Sequence, residues 1–474
     1  MNAIVLPEPE LEFGGGARHV DMRYGLLHHG PLDRHEVGAP RSIRLGIVGD
    51  KDGTERLIHW IGNCRNGIDA KRSRLKNLYP PFPGFGDRGP FCDFVTNGTW
   101  CRTISRNEID RIAMIQPRDL SLSEAGERFF QEASDLTQNS PVDIVLFVIP
   151  ATLLRRIDVD DPGQLSKGRK IPIWHDWLKA KCLSLRTPIQ VLRPATFGGG
   201  VHRYSNEGKP STEIQEEATR AWNFFTAAYY KAGGVPWRLV RNSSELATCY
   251  MGVSFFRSAD EQSLETSIAQ VFNQRGEGVV VRGGHAQISN EDRSPHIPDE
   301  DAASLVARSL AMYKKEHGTM PARIVCHKSS YFTPGETAGF RSGAISAGID
   351  QIDLLSIRHG RTRLFREHAY PPLRGTAMQL DERSAILYTQ GSVDFYQCYP
   401  GLFIPSPLQI ELDYTEQSPF ATCGEVLSLT KMNWNSTTFV NSEPITVAGA
   451  RQVGSILKHI PEDQTLQVRY SFYM

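Results

Sequence analysis

The chain has 474 residues, too many for one ordinary core, so roughly two to three domains of 100–200 residues are expected. Hydrophobic residues at 40% and charged residues at 22% are ordinary globular usage, with no apolar run of about 18 residues and no basic-then-apolar leader, which argues against a membrane span or export and for a cytoplasmic protein. Lysine plus arginine equals aspartate plus glutamate at 53 each, so no net field draws the molecule onto nucleic acid and any basic site has to be local.

Residues 1–40 read as an extended lead-in punctuated by Pro and Gly, too irregular to be a domain. SIRLGIVGD (42–50) is an apolar run closed by Gly-Asp and predicts a buried parallel strand. GTERLIHWIGNCRNGI follows as a helix, and 78–102, with its Pro-Pro, Phe-Pro-Gly and Asn-Gly signals, reads as loop-rich. VDIVLFVIP (142–150) predicts a second buried strand, IWHDWLKAKCLS a helix, PIQVLRP a third strand, and STEIQEEATRAWNFFTAAYYKAGG a long helix stopped by Gly-Gly. Strands alternating with helices predict a parallel α/β layer, taken as one domain over 41–235, with a break near GGVPWRLV (233–240).

The second domain, 236–474, changes character. LATCYMGVSFFRS, GEGVVVRGG, ARIVCHKSS, IDLLSIRHG and AILYTQGS read as strands, and EDAASLVARSLAMYKKEHG, ETAGFRSGAISAG, TCGEVLSLTKMNW and PITVAGARQVGSILKHI as helices. The order suits a mixed sheet of the ribonuclease-H type, although periodicity does not choose that fold over other α/β layouts. The eight cysteines form no Cys-x-x-Cys pair and read as reduced thiols, not as a zinc site.

In WHDWLKAKCLSLRTPIQ (174–190), His175 and Lys179 are four apart and so share one helix face, and Gln190 opens the next strand. Alone, such a pair is a solvated helix face and Gln190 a strand-end residue. The lead-in, this stretch, YYKAGGVPW, CYMGVSFF, RIVCHKSS and the ending from SLTKMNWNSTT to RYSFYM together resemble, in that order and over nearly the whole chain, a short prokaryotic Argonaute. The resemblance implies an α/β chain of two domains: a MID domain with a Rossmann-like parallel sheet, then a PIWI domain with a ribonuclease-H-like mixed sheet.

It also implies a pocket for the 5′ phosphate of a guide strand at His175, Lys179, Gln190 and Lys231. His175 would stack on or hydrogen-bond the first nucleotide, and the two lysines would neutralise phosphate charge. Gln190 and the carboxylate of Met474, the last residue, would hold Mg²⁺ between phosphates, a hard cation that suits oxygen donors. The positions of the cutting acids in slicing relatives fall here on Ser254 and Ser329, and the final helix offers Val447, Ala448 and Gly449. A hydroxyl does not supply the charge that two-metal hydrolysis needs, so slicing is not expected. Glu277 and Glu336 are the remaining acids of interest, each better read as a loop or helix-start residue.

Binding is then the chain's own activity. Arg358, Arg361, Arg363 and Arg366 lie within nine residues and, with Lys431 and Asn433, are expected along the guide or target backbone. The resemblance further implies a guide RNA, a single-stranded DNA target, and a separate APAZ-domain effector. That effector is a sirtuin-like NADase in the branch resembled most, with TIR or nuclease effectors as alternatives, and the outcome is abortive infection by NAD⁺ depletion. Two other readings stay open: an endonuclease with its acids elsewhere, and a doubly wound nucleotide-binding enzyme, against which FGGGV and VRGGH make no phosphate-loop pattern.

Overall fold

The computed structural model describes residues 2–86, 89, 92–158, 174–198, 215–240, 246–258, 263–271, 278–365, 371–401, 404–461 and 464–474. One sheet is four-stranded and parallel, in the order β5-β4-β6-β7, built from β4 (Ser42–Gly49), β5 (Asp93–Thr103), β6 (Ile144–Val148) and β7 (Ile189–Leu192). Its two central strands serve opposite layers with alternate residues. Ile43, Leu45, Ile47, Ile144 and Leu146 join a core with α2 (Lys51–Arg65) and α7 (Glu217–Lys231). Val48, Val145 and Phe147 join another with α3 (Arg106–Met114), α4 (Arg118–Asn139), α5 (Ala151–Asp158) and α6 (Trp174–Cys182). Burial on both faces is why these strands read as nearly unbroken apolar runs.

The segment expected to be loop-rich is corrected in part. Residues 93–103 form edge strand β5, and its Asn97-Gly98 turn signal sits in a bulge: Leu45 pairs with Thr96 and Ile47 with Cys101, so 97–100 project opposite Gly46. Residues 104–141, which the sequence reading left unassigned, hold α3 and the 22-residue α4.

The larger sheet has nine strands in the order β1-β16-β17-β18-β15-β14-β9-β10-β11. They are β1 (Asn2–Val5), β9 (Thr248–Arg257), β10 (Leu264–Val271), β11 (Val279–His285), β14 (Arg323–Lys328), β15 (Gln351–His359), β16 (Thr376–Gln379), β17 (Ser384–Leu387) and β18 (Leu408–Tyr414). Only β14 runs parallel to its neighbours β9 and β15, which gives the mixed, ribonuclease-H-like sheet. A separate hairpin pairs β12 (Gln287–Ile288) with β13 (Pro295–His296). Helices α8 (Asp299–His317) and α9 (Pro334–Ser346) cover one face, while α10 (Pro419–Leu429) and α11 (Ile445–Leu457) lie on the other. A Cβ on Gly252 would stand 1.8 Å from the Thr446 carbonyl oxygen, so α11 crosses β9 where only glycine fits.

The lead-in is more ordered than its composition suggests. β1 pairs with β16 at the outer edge of the large sheet, and β2 (Leu11–Glu12) pairs with both β3 (Arg18–His19) and β8 (Arg238–Leu239). Leu11 and Phe13, with Met22 and Leu26 of α1 (Met22–His29), are buried, and the Asp33 carboxylate accepts from the Tyr229 hydroxyl at 2.7 Å and the Val235 amide at 2.9 Å. One core therefore runs from the lead-in through the parallel sheet to Tyr470–Met474. Among the described residues no helix is long and apolar enough to cross a membrane.

Candidate functional site

Helix α6 is fixed by its apolar side. Trp174 and Leu178 are buried against α4, and the Trp174 indole donates to the Leu122 carbonyl at 2.8 Å. That turns Lys179 toward Tyr473. The Lys179 ammonium is buried and donates to the Tyr473 carbonyl at 3.1 Å. Lys231, the last residue of α7, is also buried, and its ammonium donates to the Gln190 side-chain oxygen on β7. Its place at a helix C-terminus favours the positive charge. The His175 ring is half-exposed, with Nδ1 3.0 Å from an Asp176 carboxylate oxygen. Three elements thus bring His175, Lys179, Gln190 and Lys231 to one seam, against Tyr473 and next to the buried Met474 that follows it.

The electrostatics of the seam are unbalanced. Among the described residues neither Lys179 nor Lys231 has a carboxylate at ion-pair distance, and their partners are neutral oxygens. Burial pulls Lys179 down to about 8, against the more distant Asp176. Burial, and then the charge of Lys179, push Lys231 well below its ordinary value. His175 is lowered too, by burial first, against its bond to Asp176 and with both lysines adding to the shift. Burial works to raise Asp176, yet the bond from His175 and the nearby Ser455 and Lys458 hold it low, so it stays charged and occupied. Two desolvated ammonium groups without a counter-charge favour an anion beside them, and a phosphate would supply the charge and the acceptors they lack. A cavity of about 540 Å³ opens beside Lys231, between Arg186, His317 and Arg469.

The serine positions lie apart, in the large sheet. Ser254 is buried on β9, opposite residue 267 of β10, and the amide of Ser329, just past β14, donates to the Val253 carbonyl at 3.3 Å. His327 Nδ1 stands 2.8 Å from the Thr446 hydroxyl at the start of α11, and burial pulls this imidazole down to about 3. Glu336 caps α9: it forms a capping box with Thr333, pairs with Lys328 at 2.5 Å and accepts from the Ile297 amide. Glu277 lies outside the described residues. No group of three or more His, Cys, Asp or Glu able to hold a metal occurs among the described residues.

The expected backbone contacts are scattered. Lys431 is fully buried, with its ammonium 2.7 Å from Glu8, 2.7 Å from the Pro9 carbonyl and 2.6 Å from the Val20 carbonyl, so it ties the lead-in to the large sheet. The Asn433 side chain accepts from the Asn435 amide. Arg358 lies over the Tyr331 ring with its carbon 3.7 Å from the centroid, Arg363 donates to the Ser406 hydroxyl at 2.8 Å, and Arg361 is exposed. Arg366 lies outside the described residues. Sequence reasoning missed Asp176 and the Tyr473 carbonyl. The first is adjacent to His175 and legible; a main-chain oxygen 294 residues from Lys179 has no sequence signal.

No family model matches the chain, and no curated protein matches it. Solved structures do. Clostridium butyricum Argonaute bound to a guide DNA (5′ deoxycytidine) and a 19-mer target DNA superposes with a TM-score of 0.62 at 15% identity, over 98% of this chain and 53% of that one. Aa-Ago with externally bound siRNA gives 0.61 at 16%, over 99% and 56%, and A. aeolicus Argonaute 0.57 at 16%, over 98% and 55%. The chain spans a little over half the length of these proteins. Along essentially its whole length it carries the Argonaute fold, with the MID-type parallel sheet and the PIWI-type mixed sheet in that order.

Proposed function

We propose that this chain is the guide-binding subunit of a short prokaryotic Argonaute defence complex, and that the seam at Lys179 and Lys231 holds the 5′ phosphate of the guide. The observation that carries the reading is the pair of buried, mutually repelling ammonium groups whose acceptors among the described residues are neutral. The half-exposed His175 ring would stack on the first base. Gln190 and the Met474 carboxylate are oxygen donors of the kind Mg²⁺ takes, but the Gln190 oxygen is engaged by Lys231. The donor set therefore suits a hard cation only together with phosphate oxygens, where the ion would supply neutralising charge.

The guide is an RNA and the target a complementary single-stranded DNA. The structural neighbour from Clostridium butyricum holds a guide and a target DNA, which supports the binding of two strands without deciding their sugar. Ser254 within β9 and Ser329 just past β14, together with a neutral His327 hydrogen-bonded to Thr446, support a centre that binds without cutting. The output then lies in a partner, an APAZ-domain protein with a sirtuin-like NADase in the cytoplasm, whose activation depletes NAD⁺ and aborts infection.

The test measures binding of 5′-phosphorylated and 5′-hydroxyl guides to wild type and to Lys179→Ala/Lys231→Ala. Wild type should prefer the phosphate by roughly 100-fold, two charge-assisted contacts at 1–2 kcal/mol each, and the double variant should not prefer it. Equal binding of both guides by wild type sinks the pocket. Labelled target incubated with the guide complex and Mn²⁺ or Mg²⁺ should stay intact, and cleavage products would overturn the binding-only half.

A further inference from the structure

Lys71, Arg72, Arg74 and Lys76 fall within six residues of the loop after α2, and all four are exposed. None has a carboxylate at ion-pair distance among the described residues; Lys71 lies 5.0 Å from the centre of the Tyr79 ring. This run is denser than the arginines of 358–366, and the 5′-phosphate pocket makes no use of it.

The loop is anchored on a cluster of rings. The Tyr24 hydroxyl donates to the Lys76 carbonyl at 3.4 Å, and the Asn77 amide donates to the Phe395 carbonyl at 2.8 Å. Tyr24 lies between His19 and His28, with centroids 5.8 and 6.0 Å away and planes inclined by 26° and 31°. Phe395 meets His19 and Tyr24 edge-on, at 5.4 and 5.5 Å, and holds both rings in place. His28 is the exposed end of this ladder.

We propose that this surface, the His19-Tyr24-His28 ladder flanked by Lys71, Arg72, Arg74 and Lys76, is a second contact for single-stranded nucleic acid. Near-parallel rings offer stacking to any unpaired base, and unpaired cations beside them follow the phosphates, the combination that single strands need and that duplexes, with their bases stacked inside, do not use. The contact is indifferent to base identity and to the 5′ end, and it stands whether or not the lysine pocket holds a phosphate.

The test uses the full chain and a 5′-hydroxyl single strand of about 20 nucleotides, which bypasses the pocket. Arg72→Ala/Arg74→Ala/Lys76→Ala should lower affinity about tenfold for 5′-hydroxyl and 5′-phosphate strands alike, and reduce the slope of log affinity against log salt by about two, at roughly 0.7 per phosphate contact. Any preference for the 5′ phosphate should stay as in wild type. His28→Ala, at an exposed position, should weaken the quenching of a 2-aminopurine strand. An unchanged salt slope in the triple variant overturns the proposal. So does capture of polyglutamate by this loop with strand affinity unaltered, which would give the surface to an acidic protein. Loss of 5′-phosphate preference in wild type would count against the lysine pocket alone.

Discussion

Among the described residues, the lead-in and the lysine seam each bury a pair of cations, and they differ in what surrounds the charge. At the lead-in, Lys431 and Arg374 share the Glu8 carboxylate, at 2.7 and 3.0 Å, and Arg374 also donates to the Thr430 hydroxyl. Burial works to raise Glu8, but the two cations hold its carboxyl below the ordinary range; burial in turn pulls Lys431 to about 8 in spite of Glu8. At the seam, Lys179 and Lys231 are as deeply buried and find a carbonyl and a carboxamide. A buried cation with a carboxylate and several acceptors is complete and fastens segments that lie far apart in the sequence. A buried cation with neither is complete only when an anion arrives.

Breaking the complete cluster should have the largest effect. Glu8→Gln strands two buried cations and should cost roughly 3–5 kcal/mol in denaturant unfolding, while the folded fraction keeps any 5′-phosphate preference. A loss below about 1 kcal/mol would erase the contrast. At the seam the sign reverses. Lys179→Met removes a desolvated charge, so the protein without nucleic acid should melt about 2 °C higher, whereas 5′-phosphate preference disappears; a lower melting temperature would mean that Lys179 is structural. The linkage has the matching sign. With a folded value of about 8 below the ordinary 10.5, the stability cost of Lys179 grows as pH falls from 10.5 to 8 and is constant below that.

The smallest effect sharpens the same point. A bound phosphate favours the charged ammonium and raises its pKa, so binding above about pH 8 takes up a proton. Affinity for a 5′-phosphorylated strand should fall up to about tenfold per pH unit there, and be flat for a 5′-hydroxyl strand. Equal slopes for the two strands would remove Lys179 from the contact.

Much of this was legible beforehand where burial is two-sided and local. β4 and β6 read as apolar runs because helices cover both faces, and the helix and strand of WHDWLKAKCLSLRTPIQ lie where their periodicity put them. Edge strand β5 was not, since its exposed face and its bulge at Asn97-Gly98 look like a loop. Lys431 shows the same limit at a candidate site. In sequence it is one basic residue in a late helical stretch, and its partner Glu8 lies at the other end of the chain.

What the sequence determined by itself is a part of the helices and buried strands, among them β4, β6, α2, α6 and α7, the α/β class, and the four-residue spacing that puts His175 and Lys179 on one face. The tertiary structure decided which cations are neutralised. Glu8 reaches Lys431 and Arg374, no carboxylate among the described residues reaches Lys179 or Lys231, and Lys71, Arg72, Arg74 and Lys76 come to lie beside a ladder of rings. Spacing is a property of one helix, but desolvation and charge balance depend on groups brought together from hundreds of residues apart.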